Sequence, residues 1–243
     1  MNIVIIFAGG VGQRMSRKGL PKQFILVNEV PIIIQTLRAF ENHPDIDQIY
    51  ISVLDSYREY MADLAQRYGI GKLRRIVPGG ATGQDSIYNA LKVAAEEHSA
   101  DATVLIHDGV RPIVSAALIS DCLHAVEQYG SAVPYSPCTE TVITSRDGVH
   151  IDGVLRREHL YKAQAPQGFP LGKMLDAHER VRCESSGYEG MVDSASVFYH
   201  MYGSVHLVRG SSSNIKITNP EDVFILKGLL EYRDAAEAFG LDF

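Results

Sequence analysis

The chain has 243 residues, 46% of them hydrophobic, and a formal net charge of -6. That length suits one substantial α/β domain or two small ones, and an acidic balance argues against general nucleic-acid binding, which shows as a basic surplus. No apolar run approaches the ~18 residues of a membrane helix, and Cys122, Cys138 and Cys183 are far apart and in no C-x-x-C spacing, so they read as free thiols.

Asn2 to Phe7 (NIVIIF) is a short apolar run that stops in small residues: Ala8, Gly9, Gly10, Val11 and Gly12. It reads as a buried strand feeding a tight loop. Glycines there let the backbone approach a ligand without a Cβ in the way, and their N–H groups can point at phosphate oxygens. Arg14 and Lys22 supply the positive charge that a triphosphate requires. A Walker loop is excluded because no Lys-Ser or Lys-Thr follows the glycines. The dinucleotide pattern G-x-G-x-x-G fails because its third position is Met15, and no well-placed ribose-binding acid follows. The N-terminus enters the strand without a basic segment or small-residue cleavage site, so no signal peptide is read and a cytoplasmic location is expected.

Pro31 opens a segment in which Ile32, Ile33, Leu37 and Phe40 have helical spacing. Gln48 to Leu54 reads as a strand, and Met61, Leu64, Ala65 and Tyr68 as a helix face. Leu73 to Val77 is a strand ending at Pro78-Gly79-Gly80. Ile87, Ala90, Leu91 and Ala94 mark a helix with Asp85 or Ser86 as N-cap. Thr103 to Ile106 is a strand that stops at His107-Asp108. Leu118, Cys122 and Val126 belong to another helix, and Ala132-Val133 starts another strand. This alternation predicts a doubly wound, mostly parallel α/β sheet with the ligand at the carboxyl ends of its strands. The Gly9-Gly10 loop, the Gly79-Gly80 loop and His107-Asp108-Gly109-Val110-Arg111-Pro112 all fall there.

The alternation then breaks. Thr141 to Thr144 and Val149 to Val154 read as two short strands around Asp147-Gly148, a hairpin signal. A ribbon at about 138–157 inserted in such a fold projects as an arm, and an arm of this kind is a candidate dimerisation element. Tyr161 to Phe169, a helix near Leu171 to Val181, Met191 to Phe198 and a strand at Val205 to Val208 follow. Asn214 to Thr218 then leads to a final helix from Pro220 to about Glu237. With no internal repeat, linker or low-complexity segment, residues 1–243 read as one domain.

The pattern A-G-G-x-G-x-R-M followed by P-K-Q, then H-D-G-V-R-P, R-R-E-H-L-Y, Q-A-P-Q, V-D-S-A-S and N-I-K-I-T in that order, resembles one family. It is that of the cytidylyltransferases acting on 2-C-methyl-D-erythritol 4-phosphate and on ribitol 5-phosphate, and the likeness runs from Asn2 to about Leu230. The resemblance implies a Rossmann-like nucleotidyltransferase that joins CTP and a polyol phosphate, with Mg²⁺, as a homodimer. By the same resemblance, Ala8, Gly9, Gly10 and Gly12 wrap the CTP phosphates. Arg14 and Lys22 stabilise the pentavalent α-phosphate, and Gly80 and Ser86 lie in the base-reading segment. Asp108 holds Mg²⁺ and the ribose, and Arg111 either anchors its loop by a salt bridge or touches ligand. Thr141, Arg157 and Lys216 face the acceptor phosphate, Arg157 in its own or a partner's site, and Asp193 faces the acceptor hydroxyls. His107 is expected to pack the loop rather than carry a proton.

Departures bear on the acceptor. Where the family has an arginine before the base-reading serine, Gly83 stands. Methylerythritol enzymes typically read P-A-A-G, H-D-A-A-R-P, L-T-P-Q and T-D-E-A-S, and this chain reads F-A-G-G, H-D-G-V-R-P, Q-A-P-Q and V-D-S-A-S. Ala165 and Val192 thus replace two threonines. These features resemble the ribitol phosphate branch more, making ribitol 5-phosphate the expected acceptor and methylerythritol phosphate the alternative. A non-catalytic nucleotide-binding regulator is the reading from another class; retention of both sets of cations speaks against it.

Overall fold

A computed structural model describes residues 1–9 and 20–239 of the chain. Strand β1 (Asn2–Ala8) sends alternate side chains to opposite faces. Val4, Ile6 and Ala8 join one buried cluster, and Ile3 and Ile5 the other, the period of two that a strand imposes. Burial on both faces is what a parallel sheet covered by helices demands, and each such side chain contributes roughly 2 kcal/mol of transfer free energy. A 3-10 turn at Lys22–Phe24 follows, then a small hairpin of β2 (Leu26–Val27) and β3 (Val30–Pro31). Helix α1 (Ile32–Glu41) begins directly after Pro31, whose fixed φ suits that position.

Next come β4 (Gln48–Val53), α2 (Arg58–Arg67), β5 (Leu73–Pro78), α3 (Gly83–Glu97), β6 (Thr103–Asp108) and α4 (Ala116–Tyr129). The N-cap of α3 is Thr82, not Asp85 or Ser86 as the sequence suggested. Its hydroxyl accepts from the Asp85 N–H while the Asp85 carboxylate accepts from the Thr82 N–H. This reciprocal pair satisfies two otherwise orphaned donors, so it outcompetes a start further along. Ser86 is left inside the first turn and fully buried.

Beyond α4 lie β7 (Val133–Pro137), β8 (Ile143–Thr144), β9 (Gly153–Val154), β10 (Tyr161–Ala163) and β11 (Gln167–Pro170). The chain continues through α5 (Leu171–Cys183), α6 (Ser194–Tyr202), β12 (Leu207–Arg209) and α7 (Pro220–Ala238). The central sheet has the order β11-β6-β1-β4-β5, parallel except for β11, which runs antiparallel to β6. A separate sheet, β10-β7-β12, was not foreseen. Strands of three to five residues that pair across long chain separations leave no local signal of their partners.

The ribbon is also shorter in strand than expected. Only Ile143 and Thr144 pair with Val154 and Gly153, and Asp147-Gly148 lies inside a longer loop instead of forming a two-residue turn. Asp147 accepts from the backbone N–H groups of Val149 and His150, and Ser145 caps Gly148. These local side-chain bonds displace the ladder that alternation would have built.

Candidate active site

Strand β1 lies between β4 and β6, and the chain proceeds from β1 to β4 toward one edge of the sheet but returns after β6 as β11 at the other edge. Loops at the carboxyl ends of such a pair part and leave a crevice. Gly9 follows β1, Asp108 closes β6, and Gly79-Gly80 follows β5. Ser86 braces the Gly79-Gly80 loop and lies against Gly9 of the first. Its hydroxyl donates to Thr82 O at 2.9 Å and accepts from the Gly80 N–H at 3.0 Å. The same oxygen forbids a side chain on the first loop, because a Cβ at Gly9 would stand 2.5 Å from it. Gly9→Ala is therefore expected to weaken nucleotide binding by roughly 10-fold or more while the helices stay folded. Isothermal titration with CTP and circular dichroism measure both, and unchanged affinity would contradict this placement.

Asp108 anchors the charge of the crevice. Its Oδ1 lies 2.6 Å from Lys216 Nζ and its Oδ2 accepts from Arg111 Nε at 3.2 Å. Asp108 and Arg111 are both buried. Burial opposes ionisation, but the Lys216 and Arg111 charges outweigh it and hold the Asp108 carboxyl below its usual range. Arg111 also donates to Asn214 O at 2.6 Å and stands in the cavity wall. His107 is fully buried and donates from Nε2 to Arg111 O at 2.9 Å. Burial pushes its pKa down to about 4, leaving a neutral ring that packs the loop. Lys22 Nζ donates to Ile217 O at 2.9 Å, in the segment that carries Lys216.

A cavity of about 510 Å³ opens beside this cluster and includes Phe7, Asp108, Arg111, Gln164, Ala165, Asp193 and Lys216 in its wall. Another cleft, of about 630 Å³ near Arg38 and Leu230, is larger but carries none of the candidate residues. Asp193 is the N-cap of α6, accepting from the Ser196 N–H at 2.9 Å on Oδ1 and from Gln167 Nε2 at 2.8 Å on Oδ2. It faces the cavity with its orientation held from two sides. Ala165 is buried in the wall, and Val192 is 91% exposed at the mouth.

The structure thus brings Phe7, Gly9, Gly80, Ser86, Asp108, Arg111, Asp193 and Lys216 to one end of the sheet. Thr141 and Arg157 are not among the cavity-lining residues. Both are exposed, and Arg157 Nη1 donates to Thr139 O at 3.3 Å within the ribbon. Gly10, Gly12 and Arg14 lie outside the described residues. Sequence reasoning missed Gln84, Tyr188 and Met191 in the cavity wall. Gln84, next to the noted Gly83, could have been found from that neighbour; Tyr188 and Met191 carry no motif.

The comparisons with known proteins agree with this geometry. The family model for 2-C-methyl-D-erythritol 4-phosphate cytidylyltransferase (IspD) matches residues 2–231. A ribitol-5-phosphate cytidylyltransferase of Streptococcus agalactiae is 37% identical over 241 residues, covering 99% of this chain and 100% of the relative. A 2-C-methyl-D-erythritol 4-phosphate cytidylyltransferase of Bacillus cereus is 39% identical over 231 residues, covering 95% of this chain and 98% of the relative. The crystal structure of the Francisella tularensis 2-C-methyl-D-erythritol 4-phosphate cytidylyltransferase superimposes with a TM-score of 0.78 at 28% identity, over 93% of this chain and 98% of that one. The expected Rossmann-like nucleotidyltransferase fold is therefore present, and the chain belongs to the IspD cytidylyltransferase family of nucleotidyltransferase enzymes.

Proposed function

We propose that the chain transfers the cytidylyl group of CTP to D-ribitol 5-phosphate, giving CDP-ribitol and pyrophosphate. The observation that supports this best is the Asp108–Arg111–Lys216 cluster, its carboxylate and guanidinium buried and its amine exposed, opening into a cavity of about 510 Å³. That volume lies in the usual range for small-molecule sites. In the reaction an oxygen of the acceptor phosphate attacks the α-phosphorus of CTP in line, and the bond from that phosphorus to the bridging oxygen breaks. The acceptor phosphate is already anionic, so no general base is assigned. Positioning and charge neutralisation carry such transfers. Arg14 and Lys22 are assigned to the α-phosphate, Gly80 and Ser86 to the base, and Lys216 to the acceptor phosphate. Asp193 is assigned to the acceptor hydroxyls.

Mg²⁺ fits the donor set as an ion shared with substrate. Among the described residues no group of three His, Cys, Asp or Glu gathers to hold a metal unaided, and Mg²⁺ is commonly held by one carboxylate plus phosphate oxygens. Asp108 is the carboxylate we assign. Lys216, with a side chain 43% exposed, has room to turn from it toward a phosphate. Bound there, the ion would neutralise triphosphate charge.

Thr141 and Arg157 are assigned to a partner subunit's site. Both stand on an exposed ribbon bearing exposed Ile143, Val149, Ile151 and Val154, apolar surface that a homodimer contact would cover. Among the described residues no helix is long and apolar enough to cross a membrane, and the cytoplasm is the compartment we assign.

The acceptor rests on residues rather than on overall identity, which is 37% to the ribitol relative and 39% to the methylerythritol relative. Ala165 lines the cavity and Val192 its mouth, where two hydroxyls would otherwise stand. The Bacillus cereus relative favours the second reading, methylerythritol phosphate. Pyrophosphate release from CTP and Mg²⁺, run in parallel with each polyol phosphate, tests both. Release with ribitol 5-phosphate alone is expected; release with methylerythritol phosphate alone overturns the acceptor assignment, and tight CTP binding with no release revives a regulatory role.

A further inference from the structure

The segment Gln164-Ala165-Pro166-Gln167 lies between the two loops that carry the acceptor-side groups, and its side chains tie down both. Gln164 Nε2 donates to Ser211 O at 2.7 Å, in the loop that leads to Lys216. Asn214, in the same loop, returns a bond from Nδ2 to Ala165 O at 2.8 Å and accepts from Arg111 Nη1 on its own carbonyl. Gln167 reaches the other way. Its Nε2 donates to Asp193 Oδ2 at 2.8 Å, and its Oε1 accepts from the Ala195 N–H at 2.8 Å. A third bond, from Gln167 Nε2 to Gln164 O at 3.2 Å, closes the segment on itself. Both glutamines and Asn214 are buried, and Asp193 is half-buried at the cavity wall.

We propose that this segment is a clasp that sets the placement of Asp193 relative to Lys216, with Gln167 as the positioning residue for Asp193; the inference rests on the acceptor-side roles assigned above. The amide suits the task chemically. It donates to a carboxylate with one end and accepts from the first turn of α6 with the other, so one planar group fixes both the acid and the helix that it caps. A bond from an amide to a carboxylate is stronger than one between neutral groups and holds the acid in one rotamer. Preorganisation of this kind matters most where a flexible polyol chain must be held against a fixed phosphate.

A carboxylate at position 167 would still accept from Ala195 but would face Asp193 as a like charge. Gln167→Leu and Gln167→Glu are therefore both expected to raise KM for the polyol phosphate by roughly 10- to 100-fold. KM for CTP should stay within about twofold, a change too small to signal a lost contact, and both variants, less stable because buried partners are left unpaired, should remain folded by circular dichroism. Steady-state pyrophosphate release with each substrate varied in turn measures the split. A double-mutant cycle then separates positioning from general damage. If Gln167 acts through Asp193, adding Gln167→Leu to Asp193→Ala costs little more than Asp193→Ala alone. Equal increases in both KM values, additive losses in the cycle, or an unchanged acceptor KM in a folded Gln167→Glu protein would each overturn the clasp. If the unaltered chain turns over neither polyol phosphate, the functional reading fails and the positioning role falls with it; normal turnover without the KM split removes the clasp alone.

Discussion

Asp108→Asn is expected to lower kcat/KM by roughly 1000-fold or more, a loss typical of removing a group that organises transition-state charge. The amide keeps the shape and removes the charge. Arg111, buried beside it, then loses the carboxylate at 3.2 Å, and Lys216 loses the one at 2.6 Å. Breaking a buried pair by neutralising one member leaves an uncompensated ion. The Lys216 half is discounted because that side chain is 43% exposed and water can screen it. The buried Arg111 half is expected to cost about 1–3 kcal/mol of stability. Pyrophosphate release and a urea melt separate the two effects, since activity should fall far further than the melt shifts. Near-normal turnover in this protein would remove Asp108 from the site.

Acidification should destabilise the fold well above the range in which ordinary carboxylates titrate. His107 and His178 are both fully buried, and burial pushes each pKa down to about 4. For His178 the nearby Arg182 charge pushes the same way. The unfolded chain takes up these protons near the ordinary value of about 6.5, whereas the folded chain resists until about pH 4. Stability is therefore full above pH 6.5 and is lost as pH falls from there through about 4, by about 2 kcal/mol per histidine at pH 5 and on the order of 3 at pH 4. The Asp108 carboxyl, held below its usual range, adds a further loss only at more acid pH. Urea midpoints measured from pH 7.5 to 4.5 should fall steadily at unchanged slope. A flat series would mean that the two rings accept protons in the folded state.

His178 joins this behaviour to the site. Its Nδ1 is hydrogen-bonded to the Tyr188 hydroxyl at 2.6 Å, and Tyr188 lines the cavity. Loss of the neutral ring would thus loosen the wall as well as the core.

The alternation of strands and helices through Tyr129, and the loops that gather at one end of the sheet, were legible from the chain alone. That legibility has a physical cause: a strand buried on both faces must be apolar throughout, a helix must place apolar residues every three or four positions, and a ligand-binding turn must be small. Asp108 stood out at a strand end, whereas Lys216 and Asp193 were marked only by motifs of the family that the chain resembles. Tertiary structure decided the rest. Thr82 rather than Asp85 or Ser86 caps α3 because of a reciprocal bond to Asp85. Arg111 turns onto Asn214, Lys216 meets Asp108, and two glutamines clasp loops that begin with no relation in the sequence. Each of these depends on which distant groups share a buried space, where an unpaired polar atom costs more than the bond itself contributes. A linear pattern carries periodicity and residue type, but not that proximity.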